Sequence, residues 1–292
     1  MERINLTTKP SEGYELLDSG REEKLERFGE VVLIRPDPQA LWEKKLGAGE
    51  WGKAHGRYIR KGNGGEWQSS RSDLLDGWPI KFGGLQFLIK PTSFKHVGLF
   101  PEQLSNWEWI STQKPTNVLN LFGYTGGATL AAAAAGASVM HVDASKTAVA
   151  WARENAQLSG LDKKPIRWIV EDALTFVKRE IKRGTKYDAI IMDPPAFGHG
   201  PAGELWKFEE NFLELLALCE ELLSEKPLFV LINGYAAGYS PLAFAYNLER
   251  FEKKYGGTIE YGDLGIEEKS GSSTALGINR LLPCGIFARW RT

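Results

Sequence analysis

The sequence predicts an α/β fold: a Rossmann-like, doubly wound sheet of seven strands with a terminal antiparallel hairpin, plus a small N-terminal antiparallel β-rich domain. Three observations predict it. From about residue 117 onwards, apolar strand patterns alternate with helical patterns, as in parallel sheets whose strands are linked by helices. A glycine-bearing turn joins the first of these strands to its helix. The residues before them show short strand patterns separated by glycines.

Residues 1–92 are predicted to form the β-rich accessory domain, a possible substrate-docking or RNA-docking domain. Its strand patterns lie at residues 14–18, 24–28, 31–34, 57–60, 66–69 and 85–89, and one short helix is predicted over residues 39–46. The domain holds Trp42, Trp51, Trp67 and Trp78. These indoles fit either a base-stacking face or a tryptophan-rich mini-core, and both interpretations stay open.

Residues 93–292 are predicted to form the second domain, built from strand and helix units in alternation. Strands are predicted at residues 117–121, 138–143, 166–170, 187–192 and 227–233, and helices at residues 128–135, 145–158, 174–183, 206–223 and 241–255. Two final strands, at residues 258–264 and 284–290, are joined by the polar stretch 269–279. With no helix between them, they predict a hairpin that reverses direction at the sheet edge.

Four polar residues stand at the predicted carboxyl ends of strands: Asn120, Asp143, Asp172 and Asp193. In open α/β sheets, ligands bind beyond these strand ends. The helix that follows the glycine-bearing turn presents unpaired backbone N–H groups, which suit a polar or anionic ligand group. Asp143 suits a ribose diol, because an ionised carboxylate accepts two hydroxyl hydrogen bonds. The pattern therefore indicates a crevice for a nucleoside cofactor.

The turn itself narrows the choice of cofactor. Its spacing does not fit the dinucleotide fingerprint G-x-G-x-x-G, and the bulky Phe122 and Tyr124 would obstruct a diphosphate. No G-x-x-x-x-G-K-[ST] motif occurs in the chain. A nucleoside ligand without phosphates remains, and S-adenosyl-L-methionine is the commonest cofactor of that kind.

Four segments in succession carry a resemblance to a known family: NLFGYTGG, VDASKTAVAWARENAQLSGL, EDALTFVKR and YDAIIMDPPAFG. In this order they resemble the motifs of class I S-adenosylmethionine-dependent methyltransferases. The sequence is most similar to the large-subunit (23S) ribosomal RNA methyltransferases that modify cytosine C5 or guanine N7. The segment HVGLFPEQ is similar to the segment that precedes the motifs in these enzymes, so the resemblance runs from about residue 94 to the C-terminus.

Candidate cofactor contacts follow from the strand ends, the turn and the resemblance. The predicted set is Phe100, Gln103, Asn120, Leu121, Phe122, Tyr124, Thr125, Gly126, Asp143, Ala144, Ser145, Asp172, Ala173 and Asp193. Asn120 and the turn are expected at the methionine part and Asp143 at both ribose hydroxyls. Asp172 is expected at the adenine amine, with the two alanines beside the ring. Capping of the following helices is the alternative role of Asp143 and Asp172, and packing into the core is that of Phe100.

The candidate catalytic residues are Asp193, Pro194, Pro195 and Phe197. The two prolines lack backbone donors and stiffen the chain, so the aspartate and nearby carbonyl groups present acceptors to a substrate amine. Methyl transfer from a cationic donor is an in-line displacement that needs positioning and a dry pocket more than strong acid or base. Phe197 is expected to stack on a flipped base. A turn with Phe197 in the core is the alternative.

The chain also departs from the look-alike family. A cysteine nucleophile is expected after the fifth strand for cytosine C5 methylation, yet the chain reads Ile232-Asn233-Gly234-Tyr235 there. Cys219 and Cys284 lie elsewhere in the sequence. The sequence therefore favours a ring nitrogen or an amine as acceptor. Asn233 and Tyr235 are candidates for lining the acceptor pocket, or else simply end the strand.

Composition bounds the function further. The chain has 292 residues and a formal net charge of −1, so no global field attracts nucleic acid and any basic footprint must be local. No histidine or cysteine spacing indicates a metal site. No targeting segment or membrane-length apolar run is present, which predicts a cytoplasmic protein.

These patterns predict a cytoplasmic, S-adenosylmethionine-dependent methyltransferase with RNA, in particular ribosomal RNA, as its partner, and with neither a metal nor a membrane. Two alternatives remain: methylation of a protein or small molecule, and a non-catalytic cofactor-binding protein that docks RNA. The sequence does not indicate an oligomeric state.

Overall fold

A computed structural model describes residues 1–62, 64–235, 238–269 and 279–292 of the chain. Two compact units are present. The α/β unit consists of Met1–Leu6, Ser105–Leu264 and Gly285–Thr292, and the β-rich unit of Thr7–Leu104 and Gly265–Cys284. The bounds of these units differ from the boundary predicted between residues 92 and 93. That boundary stays a prediction about domain organisation.

The first part of the chain consists mainly of short strands. In order, its elements are β1 (Glu2–Arg3), β2 (Leu6–Thr8), β3 (Tyr14–Gly20), β4 (Glu23–Phe28), β5 (Val31–Pro36), α1 (Ala48–Trp51), β6 (Gly56–Lys61), β7 (Gly64–Ser69), β8 (Trp78–Phe82) and β9 (Leu85–Ile89). Strands β3 to β7 form one sheet in sequence order, and β8 pairs with β9. The pairing is antiparallel except between β5 and β6.

The helix predicted over residues 39–46 is wrong, since none of these residues is helical and α1 follows them. Backbone contacts explain the difference. The carbonyl groups of Ala40 and Trp42 accept hydrogen bonds from the N–H groups of Glu22 and Arg21, at 2.8 and 2.7 Å. These long-range hydrogen bonds keep the segment non-helical beside the β3–β4 turn, and they override its helix propensity.

All four tryptophans of the β-rich unit donate their indole N–H to an acceptor of the chain. Trp42 donates to Ser19 O at 3.0 Å, Trp51 to Asp18 Oδ2 at 2.9 Å, Trp67 to Thr92 O at 2.8 Å and Trp78 to Phe28 O at 3.0 Å. Trp51 is buried and the other three are half-buried. Buried indoles with satisfied N–H groups are typical of a core, so the contacts support the mini-core interpretation.

The second part of the chain alternates strands and helices. Its elements are α2 (Leu104–Gln113), β10 (Asn117–Leu121), α3 (Gly127–Ala134), β11 (Ser138–Asp143), α4 (Lys146–Leu158), β12 (Ile166–Val170), α5 (Ala173–Arg183), β13 (Ala189–Met192), β14 (Phe197–His199), β15 (Leu205–Lys207), α6 (Phe208–Leu222), β16 (Phe229–Gly234), α7 (Pro241–Tyr255), β17 (Thr258–Glu267) and β18 (Leu281–Arg291). Residues 270–278, most of the polar stretch predicted between the last two strands, lie outside the described residues.

The predicted doubly wound sheet of seven strands is confirmed. These seven strands have the order β17-β18-β16-β13-β10-β11-β12, and the short strands β1 and β2 both pair with β17, so that the whole sheet has nine strands. Strands β12, β11, β10, β13 and β16 are parallel, whereas β18 runs antiparallel to β16. Every residue of β13 and β16 is buried, as expected of central strands covered by helices on both faces.

Several elements of the α/β unit were not predicted, among them β1 and a short hairpin. Residues 197–207 form the hairpin β14–β15, so α6 begins at Phe208 and Trp206 belongs to a strand. Each strand of the hairpin is three residues long, too short for an alternation pattern to be visible in sequence. Gly203, whose φ is 94°, lies in the connecting loop.

Candidate active site

The strand order of the α/β unit changes direction beside β10. From β10 the chain proceeds on one side to β11 and β12, and later on the other side to β13 and β16. A crevice opens at the carboxyl ends of the strands at such a switch point. Asn120 is the last but one residue of β10, Asp143 is the last residue of β11, and Asp172 and Asp193 follow β12 and β13. The structure thus brings the predicted strand-end residues to one edge of the sheet.

The turn after β10 has an uncommon backbone. Phe122 and Tyr124 have φ values of 56° and 47°, and Gly126 has a φ of 90°. Left-handed conformations of bulky residues cost of order 1–3 kcal/mol each and persist only where neighbouring contacts impose them. Here Asn155 Nδ2 on α4 donates to Thr125 O at 2.9 Å, and Gly126 N–H donates to Gly123 O at 2.9 Å. The turn is therefore a rigid, strained loop.

Two glycines of the turn are required by their neighbours. A Cβ atom at Gly123 would lie 2.5 Å from the ring of His141, and one at Gly127 would lie 2.2 Å from the ring of Trp107. Neither contact is sterically allowed, and both rings are buried. A larger residue would therefore clash with a buried ring both in the turn, at Gly123, and at the first position of α3, Gly127.

Asp143 presents both carboxylate oxygens in a fixed orientation. Oδ2 accepts the N–H of Tyr124 and Oδ1 accepts the N–H of Ser145, each at 2.8 Å. Burial raises the pKa of Asp143 above its usual range, and these two hydrogen bonds oppose part of that rise. Ser145, not Asp143, caps α4, because its hydroxyl accepts the N–H of Ala148. Each oxygen of Asp143 retains a lone pair for a hydroxyl group.

Asp172 is the N-cap of α5, so the alternative role considered for it is present in the structure. Its Oδ1 accepts the N–H of Thr175 at 2.8 Å, and the residue is buried. Ala173 is the first residue of α5, while the half-buried Ala144 follows Asp143. The adenine contact of Asp172 stays a prediction, and Oδ2 is the oxygen left for it, since no described residue donates to that atom.

Asn120 lies beneath the turn. Its Nδ2 donates to Thr129 Oγ1 on α3 at 2.8 Å, and the same Oγ1 lies 2.9 Å from His141 Nδ1 on β11. All three side chains are buried, and burial lowers the pKa of His141 to about 3, which keeps its imidazole neutral. This chain of hydrogen bonds, which we call the relay, joins β10, α3 and β11. The predicted contact of Asn120 with the methionine part stays a prediction.

The D-P-P-x-F corner follows β13 and is tied to the hairpin. The indole N–H of Trp206 donates to Pro195 O at 2.7 Å, and the N–H of Phe208 donates to Ala196 O at 3.0 Å. Pro194 is buried and Asp193 half-buried. The side chain of Phe197 is 56% exposed, so the alternative that placed it in the core is wrong.

Trp206 also reaches the glycine turn, since its ring centroid lies 4.8 Å from that of Phe122. One buried side chain thus contacts both the turn after β10 and the corner after β13. Sequence reasoning missed this residue, because it assigned Trp206 to the start of a helix. Its helical neighbours gave no signal of a hairpin.

The comparison with known proteins decides the family. Residues 40–245 match the model of the S-adenosylmethionine-dependent methyltransferase family. The chain belongs to this family. The crystal structure of the S-adenosylmethionine-dependent methyltransferase from Agrobacterium tumefaciens is similar to it, with a TM-score of 0.93 and 38% sequence identity over 99% of this chain and 95% of the other.

Two curated relatives are similar to part of the methyltransferase. The ribosomal RNA large subunit methyltransferase K/L of Shewanella frigidimarina is 34% identical over 52% of this chain and 21% of the relative. The ribosomal RNA large subunit methyltransferase I of Aeromonas salmonicida is 34% identical over 48% of this chain and 33% of the relative. The matched region thus spans a third or less of the length of these relatives.

The cofactor of this methyltransferase family is S-adenosylmethionine, and the residues of the α/β unit fit it. The oriented oxygens of Asp143 suit the ribose diol. Helix α3 differs from α4 and α5 in having no side-chain cap, because Gly126 is its N-cap residue. The first N–H groups of α3 therefore suit the methionine carboxylate, which is an anion at a helix N-terminus.

Phe100 and Gln103 lie in the β-rich unit. Phe100 precedes a short 3₁₀ helix, Pro101–Gln103, and its ring centroid lies 5.4 Å from that of His96. Gln103 is buried. Their contact with the cofactor stays a prediction from the resemblance.

No described thiol suits nucleophilic attack. Cys219 is buried within α6, where burial raises its pKa to about 12. Burial also raises the pKa of Cys284, which belongs to the β-rich unit. At the end of β16, Asn233 is buried and its Oδ1 accepts from Asn106 Nδ2 at 2.9 Å.

Among the described residues, no group of three or more His, Cys, Asp or Glu side chains is placed to hold a metal ion. None of the helices in the described ranges is long and apolar enough to cross a membrane.

Replacing Trp206 with Phe tests its positioning role in the methyltransferase. The change removes the hydrogen bond to Pro195 O and leaves an aromatic ring beside Phe122. We expect kcat to fall roughly 10-fold or more, because a small misplacement of a reacting group is costly. The cofactor Kd should stay within about threefold, since an aromatic contact to the turn is kept.

Trp78→Phe is the matched control, as it removes an indole bond to a carbonyl group in the β-rich unit. Single-turnover rates and cofactor titrations of the two variants give the comparison. Equal loss of kcat in both variants would show that Trp206 contributes only general stability.

Proposed function

We propose that this methyltransferase methylates a nucleobase in RNA, at a ring nitrogen or an exocyclic amine, and that its substrate is large-subunit ribosomal RNA. The observation that supports the proposal is the D-P-P-x-F corner, which carries the carboxylate of Asp193 and the exposed ring of Phe197 and is joined to the glycine turn through Trp206. The similarity to two ribosomal RNA large subunit methyltransferases supports the choice of substrate. A cytoplasmic location is part of the proposal.

The corner and the turn have separate tasks. When bound, S-adenosylmethionine supplies an electrophilic methyl group. Asp143 holds the ribose end through its two oriented oxygens. Asp193 accepts an N–H of the base and so turns the nitrogen lone pair towards the methyl group. Phe197 stacks on the face of the base once it is turned out of its helix.

The state of the two thiols supports a nitrogen acceptor over cytosine C5. Methylation of cytosine C5 requires a thiolate that adds to the ring, and the two cysteines of the chain are held as neutral thiols by burial. A ring nitrogen or an amine attacks directly, so no covalent enzyme adduct is required. Direct methylation of a nitrogen needs only a hydrogen-bond acceptor and a stacking surface for the base, and Asp193 and Phe197 are the candidates for these two roles.

Mass spectrometry of nucleosides from ribosomal RNA tests the proposal. RNA from a deletion strain should lack one methylated nucleoside on a nitrogen atom that the parent strain contains. Expression of the wild-type chain should restore it, whereas Asp193→Ala should not. An unchanged set of methylated nucleosides, with labelled methyl groups appearing in protein or small molecules instead, would refute an RNA substrate.

A further inference from the structure

The β-rich unit contains an exposed loop closed by its own backbone. After β9, the N–H of Lys90 donates to Val97 O at 3.0 Å and that of Thr92 donates to His96 O at 2.9 Å. The hydroxyl of Thr92 donates to the same oxygen at 2.9 Å. These bonds bring together the two ends of residues 92–96, which we name the 92–96 loop.

Two aromatic side chains fasten this loop to the β6–β7 hairpin. Trp67 Nε1 donates to Thr92 O at 2.8 Å, and Tyr58 OH donates to Ser93 O at 2.7 Å. The two rings also pack edge to face, with centroids 5.6 Å apart. A Cβ atom at Gly65 would lie 2.4 Å from the Tyr58 ring, so glycine is required where the tyrosine crosses its partner strand. The loop is therefore held in one conformation.

The tip of the 92–96 loop carries an apolar ring and a strained cation. Phe94 is 67% exposed, although its neighbours are fixed from below. Lys95 has a φ of 65°, which a lysine adopts only where contacts impose it. Arg35 Nη1 donates to Lys95 O at 3.3 Å, and Lys95 Nζ lies 3.4 Å from Pro36 O. Strain of this kind is often found at binding sites.

Positive charge is in excess around this tip. Lys24 and Arg35 are paired with Glu26, and Lys24 also lies 3.2 Å from Asp37. Neither Lys95 nor Arg60 forms an ion pair with a carboxylate of the described residues. The few residues outside the described ranges include no Asp or Glu. Burial, followed by the charges of Lys24, Arg35 and Arg60, lowers the pKa of Lys95, while Asp37 opposes the shift. An anion placed here would relieve this repulsion.

We propose that the 92–96 loop is a docking site for single-stranded RNA, in which Phe94 stacks on an unpaired base while Lys95 and Arg60 bind phosphate groups. The inference rests on the proposed function, which supplies RNA as the substrate. Stacking of a base on a rigid aromatic side chain beside cations is a recurrent mode of RNA recognition. An acidic polypeptide would satisfy the cations alone and leave the exposed ring without a flat partner. Trp67 and Tyr58, which donate to Thr92 O and Ser93 O, support this site from below.

Fluorescence anisotropy of the full-length chain with a labelled, unpaired oligoribonucleotide of about a dozen mixed-sequence nucleotides tests the site. Phe94→Ala should weaken binding roughly 5- to 100-fold, and Phe94→Tyr should retain it. Lys95→Asn, with a residue that tolerates positive φ, should lower the slope of log K against log salt by about one. The controls Leu75→Ala and Lys53→Ala change exposed residues of the same unit and should stay within about twofold of wild type.

The outcomes separate this inference from the proposed function. Wild-type affinity in Phe94→Ala, or no oligoribonucleotide binding by wild type, would overturn the docking site. Equal competition by poly-glutamate, with Phe94 unimportant, would indicate an acidic polypeptide partner instead. Methyl transfer to ribosomal RNA is measured separately with labelled S-adenosylmethionine. Phe94-dependent RNA binding without such transfer would refute the substrate and leave the docking site intact.

Discussion

Asp143→Ala should weaken binding of S-adenosylmethionine by about 10²- to 10⁴-fold, because two hydrogen bonds to a charged carboxylate are lost, each contributing about 1.5–3 kcal/mol. The structure gives the reason for so large an effect. Both oxygens are already oriented by the N–H groups of Tyr124 and Ser145, so no rearrangement is needed when a diol binds. Isothermal titration calorimetry measures the two affinities.

Asp143→Asn and Asp162→Ala are the matched variants. Asparagine retains one carbonyl oxygen and should bind with intermediate affinity, while Asp162 is an exposed aspartate outside the turn and should be neutral. Thermal unfolding of each variant separates lost binding from lost folding. Affinity of Asp143→Ala within about threefold of wild type would remove Asp143 from the cofactor site.

The affinity should also depend on pH through Asp143. Burial raises its pKa, so it protonates on acidification before an exposed aspartate does. The protonated form has one acceptor oxygen fewer, and cofactor affinity should therefore fall as the pH falls through this raised pKa. The same raised pKa makes the ionised side chain unfavourable for folding at higher pH, so the trend in stability has the opposite sign. Titrations of wild type and Asp143→Asn across acidic pH should show the slope only in wild type.

The parts of the site that sequence reasoning found depend on local rules. The glycines of the turn, the strand before it and the acid at the end of β11 all lie within 27 consecutive residues, Asn117 to Asp143. Strand period, helix propensity and glycine turns act over such distances. The doubly wound fold class was predictable as well, because parallel strands joined by helices have few allowed topologies.

The parts that were missed depend on contacts between residues far apart in the sequence. Trp206 acquires its place from Phe122, which lies 84 positions earlier, and no pattern around residue 206 contains that information. Likewise, the tryptophans offered two interpretations until the acceptors of their N–H groups were known. The relay of Asn120, Thr129 and His141 joins three elements in the same way.

Glu26→Ala should lower the free energy of unfolding by about 3–5 kcal/mol, which is the usual cost of removing one partner of a buried ion pair. Glu26 is fully buried in the β-rich unit and accepts from Arg35 Nε at 2.7 Å, from Arg35 Nη2 at 2.8 Å and from Tyr14 OH at 2.8 Å. The substitution leaves the guanidinium buried without its counter-charge. Urea unfolding gives the value, and Glu43→Ala, in an exposed pair with Arg21, should cost below about 1 kcal/mol.

Acid should remove the same contribution. Burial by itself would raise the pKa of Glu26, but the charges of Arg35 and Lys24 and the hydrogen bonds lower it from 4.5 to about 2. A lowered folded-state pKa means that the stabilisation is complete above the unfolded value and is lost as the pH falls from about 4.5 to 2. Glu26→Gln should therefore show a shallower acid transition than wild type, and identical transitions would contradict the assignment.

The double substitution Glu26→Leu with Arg35→Met separates stability from function. Apolar replacement of a buried ion pair is often neutral or stabilising, so most of the loss in Glu26→Ala should be recovered. The hydroxyl of Tyr14 loses its acceptor, whereas Lys24 loses Glu26 but keeps Asp37 as its partner. Arg35 also donates to Lys95 O in the 92–96 loop, and that bond disappears with the guanidinium. A double variant that is stable but binds the oligoribonucleotide weakly would show that the buried pair is retained for the loop. Wild-type RNA affinity would show that the loop keeps its conformation without Arg35.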